Sequence, residues 1–539
     1  MTTQIVRKRA AHRVAAARLL ALRCSSVTER PGYAPSSRLA RVPAALATAP
    51  HILASQVTST SLSPEDLNKK LAEIERRLTR APQGVEDLFA RAQLLELLGR
   101  NDDAREAYFA LLTVAPTHFG GLNNLGNVLT RAGKRRAAQA AYEEAVRVQP
   151  NNPLGHVSLG LCLLELESFE RAREQLERAI QLDPRNAAAH KGLSYVFSRT
   201  GDEATADVHR RLGFGAEPIE VLEYRGDGAP VEILVLVSAT GGNLDADSLL
   251  DKRVFAATKL YVEFAEIGSA LPRHALVFNA VSDADVACDA LGRIRALLGN
   301  DDAPLVNPPE AVIPTGRAEN AGRLGALQGV VAPRIERMSR HELEQNAQRL
   351  TFPVLLRLPR QHTGRHFVMV AHASELAESL AQIPGDELFV IEYLDARGAD
   401  GQWRKYRVMF VDGTMFPLHL AVSPHWKIHY FSADMTENAA NRAEDERFLR
   451  EMETALGPVA IAALQRIERA LGLDYAGIDF ALDAAGNVLL FEANATMVIA
   501  QPSPDPRWDY RRPAVTAILD AVREMLLARA RAGKSVAHG

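Results

Sequence analysis

The chain has 539 residues, enough for two or three domains each with its own core. Its net charge of −3 gives no general attraction for nucleic acid or an anionic membrane, so neither partner is expected. Cys24, Cys162 and Cys288 are scattered, which argues against a disulfide framework or a zinc site and fits a reducing, cytoplasmic compartment.

Residues 1 to about 60 contain many Arg, Ala and Ser and almost no acid; Glu29 is the only acidic residue before Glu65. Such a composition is that of an organellar transit peptide, but it fits a disordered or mis-assigned N-terminal extension better. Ser63-Pro64-Glu65-Asp66 then supplies an N-cap, a first-turn proline and acid for a lone helix. Beyond it, Pro82, Pro116, Pro150, Pro184 and Pro218 recur every thirty-four residues. In the unit from Phe119 to Asn152, Leu122, Leu125, Gly126 and Leu129 share one helical face. Gly133 marks a turn, Ala138, Tyr142 and Ala145 share the face of a second helix, and Pro150 closes the unit. Shifting by thirty-four gives Leu159, Gly160, Leu163, Ala172, Leu176 and Ala179 downstream, and Leu88, Ala92, Leu95, Ala104, Tyr108 and Leu111 upstream.

These units resemble the tetratricopeptide repeat. Three full units run from about Val85 to Asn186, and a weaker fourth runs from Ala187 to Pro218, with Arg210 at an apolar position as in a terminal cap. The resemblance implies an all-α solenoid over residues 61–222 that binds a peptide or protein. Asn123, Asn124 and Asn127 either face its groove or are ordinary solvated helix positions.

After turn signals from Glu223 to Ala229, Val231 to Ser238 is a buried-strand run of the parallel-sheet kind. Ser238 to Asn243 reads as a tight turn or a ligand cradle, without a dinucleotide or phosphate-loop fingerprint. Asp283 to Leu298 is an amphipathic helix, and Leu305 to Pro309 a short strand ending in a turn. Further strands are expected at Pro353–Pro359, Phe367–Val370, Leu388–Leu394 and Lys405–Gly413. The segment from Phe416 to Tyr430 is dense in His and Trp, but its spacing forms no zinc site.

Gly472 to Met497 contains a β-hairpin: Ile478–Leu482 and Val488–Ala493 are apolar-rich, with turn residues Ala484-Ala485-Gly486-Asn487 between them. A loop of those four residues pairs Asp483 with Val488 and sets Asp479 opposite Glu492. Asn494 shares their face, opposite Gly477, which leaves space. Facing carboxylates repel, and a cation between them relieves that. Two carboxylates and an amide oxygen suit Mg²⁺ or Mn²⁺. Ala514 to Ala530 is a closing helix, and residues 531–539 are expected to be a disordered tail.

From Val231 to Ala528 the order of segments resembles the ATP-grasp superfamily, in its glutathione-synthetase and glutamate-ligase branch. The implied architecture is multidomain: the repeat solenoid, a small α/β lobe at residues 229–312, and an α+β ATP-grasp domain at residues 313–530. The resemblance implies ATP as well as Mg²⁺. Arg317 and Arg357 stand where relatives carry phosphate-binding lysines, and Arg360 to His366 stands where a Gly-rich loop covers the phosphates. Backbone groups of Glu392, Tyr393 and Leu394 correspond to the hinge that reads adenine, with Asp395 and Asp400 near the ribose. Arg407, Lys427 and His429 correspond to residues beside an acyl-phosphate, and Asp479, Glu492 and Asn494 to the metal ligands.

The function so implied is an ATP-dependent ligase joining a carboxylate to an amine or thiol, with the repeats recruiting a peptide or protein substrate or partner. The alternatives are an ATP-grasp phosphotransferase and a repeat scaffold with a nucleotide-sensing or degenerate domain. The Arg-for-Lys exchanges and the Gly-poor loop favour the scaffold.

Overall fold

The computed structural model describes residues 63–359, 366–428 and 433–536, which divide at Glu217/Pro218 into two compact units. The expected N-terminal extension lies outside the described residues.

The first unit is helical: α1 (Pro64–Arg80), α2 (Val85–Leu97), α3 (Asn101–Val114), α4 (Phe119–Arg131), α5 (Arg135–Val148), α6 (Pro153–Glu165), α7 (Phe169–Leu182), α8 (Ala187–Thr200) and α9 (Glu203–Gly213). The Ser63 side chain caps α1 by accepting from the Asp66 backbone N–H. The thirty-four-residue pattern becomes helix pairs because its apolar positions stack into one continuous core, including Leu95, Tyr108, Leu125, Tyr142, Leu163 and Leu176. Gly126 is required by packing: a Cβ there would lie 2.3 Å from the Tyr142 ring. Gly99, Gly133 and Gly201 turn between paired helices with φ of 72°, 73° and 90°, and Glu167 occupies the corresponding turn with φ 57°.

One expectation for this unit needs correction. Asn123, Asn124 and Asn127 are buried rather than solvated, and Asn127 accepts a 2.7 Å hydrogen bond from the Tyr142 hydroxyl. They are polar atoms inside the array. Arg210, at its usually apolar position, is buried and pairs with Glu203 and Asp207.

The second unit has three sheets. The first contains β1 (Ile219–Val221), β2 (Val231–Val237), β3 (Phe255–Tyr261), β4 (Leu276–Asn279) and β5 (Leu305–Val306), in the order β1-β3-β2-β4-β5. All pairs except β1–β3 are parallel, which explains the buried apolar run Ile233 to Val237 of β2. Helix α10 (Ala284–Leu298) begins at Asp283, whose carboxylate caps it by accepting from Asp285 and Val286. The edge strand β1 falls inside the stretch expected to end the repeat array at residue 222, so the second unit starts earlier.

Helix α11 (Arg317–Gly325) and β6 (Val330–Val331) lead to the second sheet, which contains β7 (Ile335–Ser339), β8 (Val354–Arg357), β9 (Phe367–Val370) and β10 (Glu387–Glu392). It is antiparallel, in the order β7-β10-β8-β9. The third sheet contains β11 (Trp403–Val411), β12 (Thr414–Ser423), β13 (Tyr475–Leu482) and β14 (Val488–Asn494), in the order β12-β11-β13-β14-β6. Helices α12 (Ala439–Arg450) and α13 (Met452–Leu471) contribute to the core on one face of this sheet. The closing helix α14 runs from Arg512 to Val536, so the expected tail is helical through Val536. Among the described residues no helix is long and apolar enough to cross a membrane.

Asn307 joins the first and third sheets. Held at φ 52°, it donates from its side-chain amide to the Tyr475 carbonyl and accepts from the Tyr475 N–H, at 2.8 and 2.9 Å. Its own N–H donates to Asp474 at 2.8 Å.

Two outcomes are expected. Glu167→Gly relieves a left-handed non-glycine residue, which costs roughly 1–2 kcal/mol, but loosens the unfolded chain by roughly 0.4–1 kcal/mol. Urea unfolding should therefore show a small net gain in repeat-array stability, and a loss counts against the turn assignment. A fragment of residues 218–539 should melt above one of residues 223–539, because the shorter fragment strips β1 from β3; equal melting temperatures contradict the boundary at Pro218.

Candidate functional site

The third sheet has one apolar and one polar face. Tyr406, Val408, Phe410, Ile478 and Phe480 join the core, and strand alternation turns Lys405, Arg407 and Asp479 to the other side. The β13–β14 hairpin sets Asp479 opposite Glu492 and Gly477 opposite Asn494. It reaches that register differently from the sequence expectation. Leu482, rather than Asp483, pairs with Val488, and the register shifts between Asp479 and Phe480, leaving Phe491 as an extra residue in β14. The Asp483 carboxylate sets the turn by accepting from the Ala485 and Asn487 N–H groups and the Asn487 amide. Val488 and Leu490 pack in the core, as does Ala493 after the extra residue. The bulge thus changes strand parity and moves Glu492 and Asn494 to the polar face.

Asp479 is 4% exposed. Arg407 grips it with both carboxylate oxygens engaged, at 2.5 and 2.7 Å, and the Lys405 ammonium adds a contact at 3.1 Å. Burial by itself pushes this carboxyl up, but the charges of Arg407 and Lys405 outweigh burial and hold it far below the usual carboxylate range. His419, paired with Arg407 across β11 and β12, is driven well below its ordinary pKa by burial and by the cations of Arg407 and Arg511. The cations that balance these facing carboxylates belong to the protein, since Arg317 donates to Glu492 at 2.7 Å. Asn494 donates to Glu492 at 3.0 Å, while its Oδ1 accepts from the Thr496 N–H and hydroxyl. The space expected beside Gly477 is filled by Met409 and Met497.

Glu492 and Asn494 open onto a cleft that Arg317, Arg357, Asp283, Asp285 and Phe491 also line. Arg317 begins α11 and is held there by its N–H, which donates to Asp285 at 2.9 Å. One turn on, Asn320 donates to the Ala493 carbonyl and ties α11 to β14. Arg357, at the end of β8, is buried with its guanidinium 5.6 Å from the Phe367 ring centroid. Burial first, and then repulsion from Arg317, lower its pKa to about 10.

The remaining sequence candidates lie around this centre. Glu392 ends β10 and exchanges hydrogen bonds with Arg334 through both its backbone N–H and its carboxylate. The Tyr393 hydroxyl accepts from the Trp403 indole at 3.0 Å. Leu394 packs with Ala396, Ala481, Leu489 and Phe491, and Asp395 pairs with Arg397. Asp400 is drawn off to Arg404. Lys427 donates to the Phe367 carbonyl at 3.1 Å. It lies on a bend beyond β12. His429 and most of the expected covering loop, Arg360 to Arg365, lie outside the described residues.

Sequence reasoning missed Lys405, Asp285, Asn320 and Asn307. Only Lys405 carried a signal, its two-residue spacing from Arg407 on one strand face.

As donors, the Asp479 and Glu492 carboxylates suit a hard divalent cation that fills its shell with water and phosphate oxygens. Among the described residues no three His, Cys, Asp or Glu side chains converge as a metal site. Asn494, whose oxygen faces Thr496, adds no third ligand in this arrangement. The two carboxylates fit a shared cation once their guanidinium partners move to another anion.

The first unit is an array of tetratricopeptide repeats: that family matches residues 123–187 and 163–206. Among solved structures, MamA from Desulfovibrio magneticus RS-1 is 24% identical over 27% of this chain and 81% of its own, with a TM-score of 0.26. YrrB, described as a repeat protein with an unusual peptide-binding site, is 16% identical over 29% of this chain and 79% of its own, with a TM-score of 0.26. PilW, described as a type IV pilus biogenesis factor, is 23% identical over 28% of this chain and 70% of its own, again with a TM-score of 0.26. No curated protein matches the chain.

Removing Arg407 strands a buried carboxylate. Arg407→Met should destabilise the second unit by about 3–5 kcal/mol, with Arg407→Met/Asp479→Leu recovering much of the loss; calorimetry checks both. Because the folded-state pKa of Asp479 is depressed, its contribution is present above the unfolded Asp value, near 3.9, and fades as pH falls below it. Asp479→Asn should therefore flatten the acid limb of the stability profile, and an unchanged slope there contradicts the pairing.

Proposed function

We propose that residues 218–539 form an ATP-grasp-type ligase that activates a carboxylate with ATP. The observation that carries this reading is the cleft, where Arg317, Arg357, Glu492 and Asn494 come together from elements far apart in the chain. Arg407 and Asp479 lie beside them on the same face of the third sheet. Two guanidiniums at the edge of a paired-carboxylate face suit a polyphosphate and its cation. The connection from β10 through Glu392, Tyr393, Leu394 and Asp395, with apolar Leu394 and Phe491 beside it, suits a purine.

In this reading Arg317 and Arg357 neutralise the phosphates, Arg407 faces the transferring group, and Asp479 and Glu492 hold Mg²⁺ or Mn²⁺. The metal neutralises phosphate charge. A substrate carboxylate oxygen attacks the terminal phosphorus as ADP leaves, and an amine or thiol then displaces phosphate from the acyl carbon. Positioning and charge neutralisation, rather than a strong base, carry such chemistry. The repeats bring a peptide or protein to the enzyme.

A second reading, a repeat scaffold with a nucleotide-sensing domain, is favoured by one observation: Asp479 and Glu492 are already neutralised by Arg407, Lys405 and Arg317. Supplying ATP, Mg²⁺ and pooled acids, amines and peptides separates the two. ADP formed with a condensed product supports the ligase; a phosphorylated product or binding without turnover overturns it. Arg357→Ala should weaken ATP binding at least tenfold and Arg357→Lys should retain most of it, as read by calorimetry, because the phosphates need the charge at this position more than the guanidinium fork. Equal affinities in the two variants contradict the assignment of Arg357.

A further inference from the structure

We propose that the cleft is a charge interlock, in which a nucleotide polyphosphate and a divalent cation each bind weakly alone and tightly together because each releases the protein groups the other requires. The proposal rests on the reading of the cleft as a nucleotide site. Both oxygens of Asp479 are engaged, one by Arg407 at 2.5 Å and the other by Arg407 at 2.7 Å and Lys405 at 3.1 Å. Glu492 is held by Arg317 at 2.7 Å and by the Asn494 amide at 3.0 Å.

A cation arriving alone must take Asp479 from Arg407 and leave that guanidinium, itself largely buried, without a counter-ion. A polyphosphate arriving alone must draw Arg317 from Glu492 and then face Glu492, Asp283 and Asp285, which line the same cleft. When both arrive, the guanidiniums move to phosphate and the carboxylates move to the cation. The released protein cations find phosphate and the two carboxylates find the metal, so no buried charge is left alone. The coupling is reciprocal, since each ligand raises the affinity for the other by the same factor.

Lys405 has a part here that the sequence motifs do not assign. It is the second cation released when Asp479 turns to a metal, and it lies on the same strand face as Arg407.

The variants separate an interlock from a plain metal site because they act in opposite directions. In the full chain, ATP affinity by calorimetry should be at least tenfold weaker in EDTA than with saturating Mg²⁺. Asp479→Asn should strengthen ATP binding in EDTA at least threefold over the wild type and abolish the gain from Mg²⁺. Glu492→Gln, which lies nearer the surface, should do the same through Arg317 if Asp479→Asn fails to fold. Arg317→Gln should strengthen binding of Mn²⁺ alone, read by electron paramagnetic resonance, while weakening ATP. Wild-type affinities for ATP within threefold with and without Mg²⁺, or carboxylate variants that leave ATP binding in EDTA unchanged or weaker, overturn the interlock. Absence of ATP binding by the wild type under every condition overturns the nucleotide reading and the interlock with it.

Discussion

A carboxylate on an interior strand must be compensated within reach of its own sheet, and Asp479 imposes that requirement on the second unit. It lies on β13, flanked on both sides by other strands, and is almost wholly buried. Withdrawing an ion from water costs several kcal/mol, which only close partners recover. Arg407 meets it in register from β11, and Lys405, two residues along, completes the pair. The sheet therefore carries a charged face opposite an apolar one. The bulge at Phe491 extends that charged face to Glu492 and Asn494 on a strand whose first half obeys the other parity.

The elements around this face are fitted to its edge. Helix α11 delivers Arg317 to Glu492, while Asn320 fixes the same helix to the Ala493 carbonyl. Asp285 holds the start of α11 from the first turn of α10. Asn307 ties the end of the parallel sheet to the start of β13. A cleft with charges of both signs results, with the Arg317–Glu492 ion pair on its wall.

Much of this was legible in the chain and some was not. The repeat array was readable because its contacts are local: a thirty-four-residue period, small residues at helix crossings and glycine at the turns all act within neighbouring units. The burial of Asn123, Asn124 and Asn127 was not, because polarity suggests solvent and only the stacked helices supply their surroundings. In the hairpin, turn residues pointed to the pairing of Asp479 with Glu492, yet the turn register was off by one and the bulge restored it. No residue pattern announces that an extra residue sits at Phe491. Lys405 could have been found from strand alternation. Asn307 and Asp285 could not, since their partners lie far away in sequence.

By itself the sequence determined the elements whose causes are local: the helical repeats, the buried parallel strands, the capped helices and the acidic hairpin. Helix periodicity, strand alternation and turn chemistry are short-range effects and leave short-range marks. The tertiary structure alone decided that Arg407 and Lys405 neutralise Asp479, that Arg317 neutralises Glu492, and that Arg357 joins Arg317 and Glu492 at one cleft. Those pairings depend on which strands are neighbours and on a single bulge, and burial makes the charges dependent on the partners that the fold brings to them.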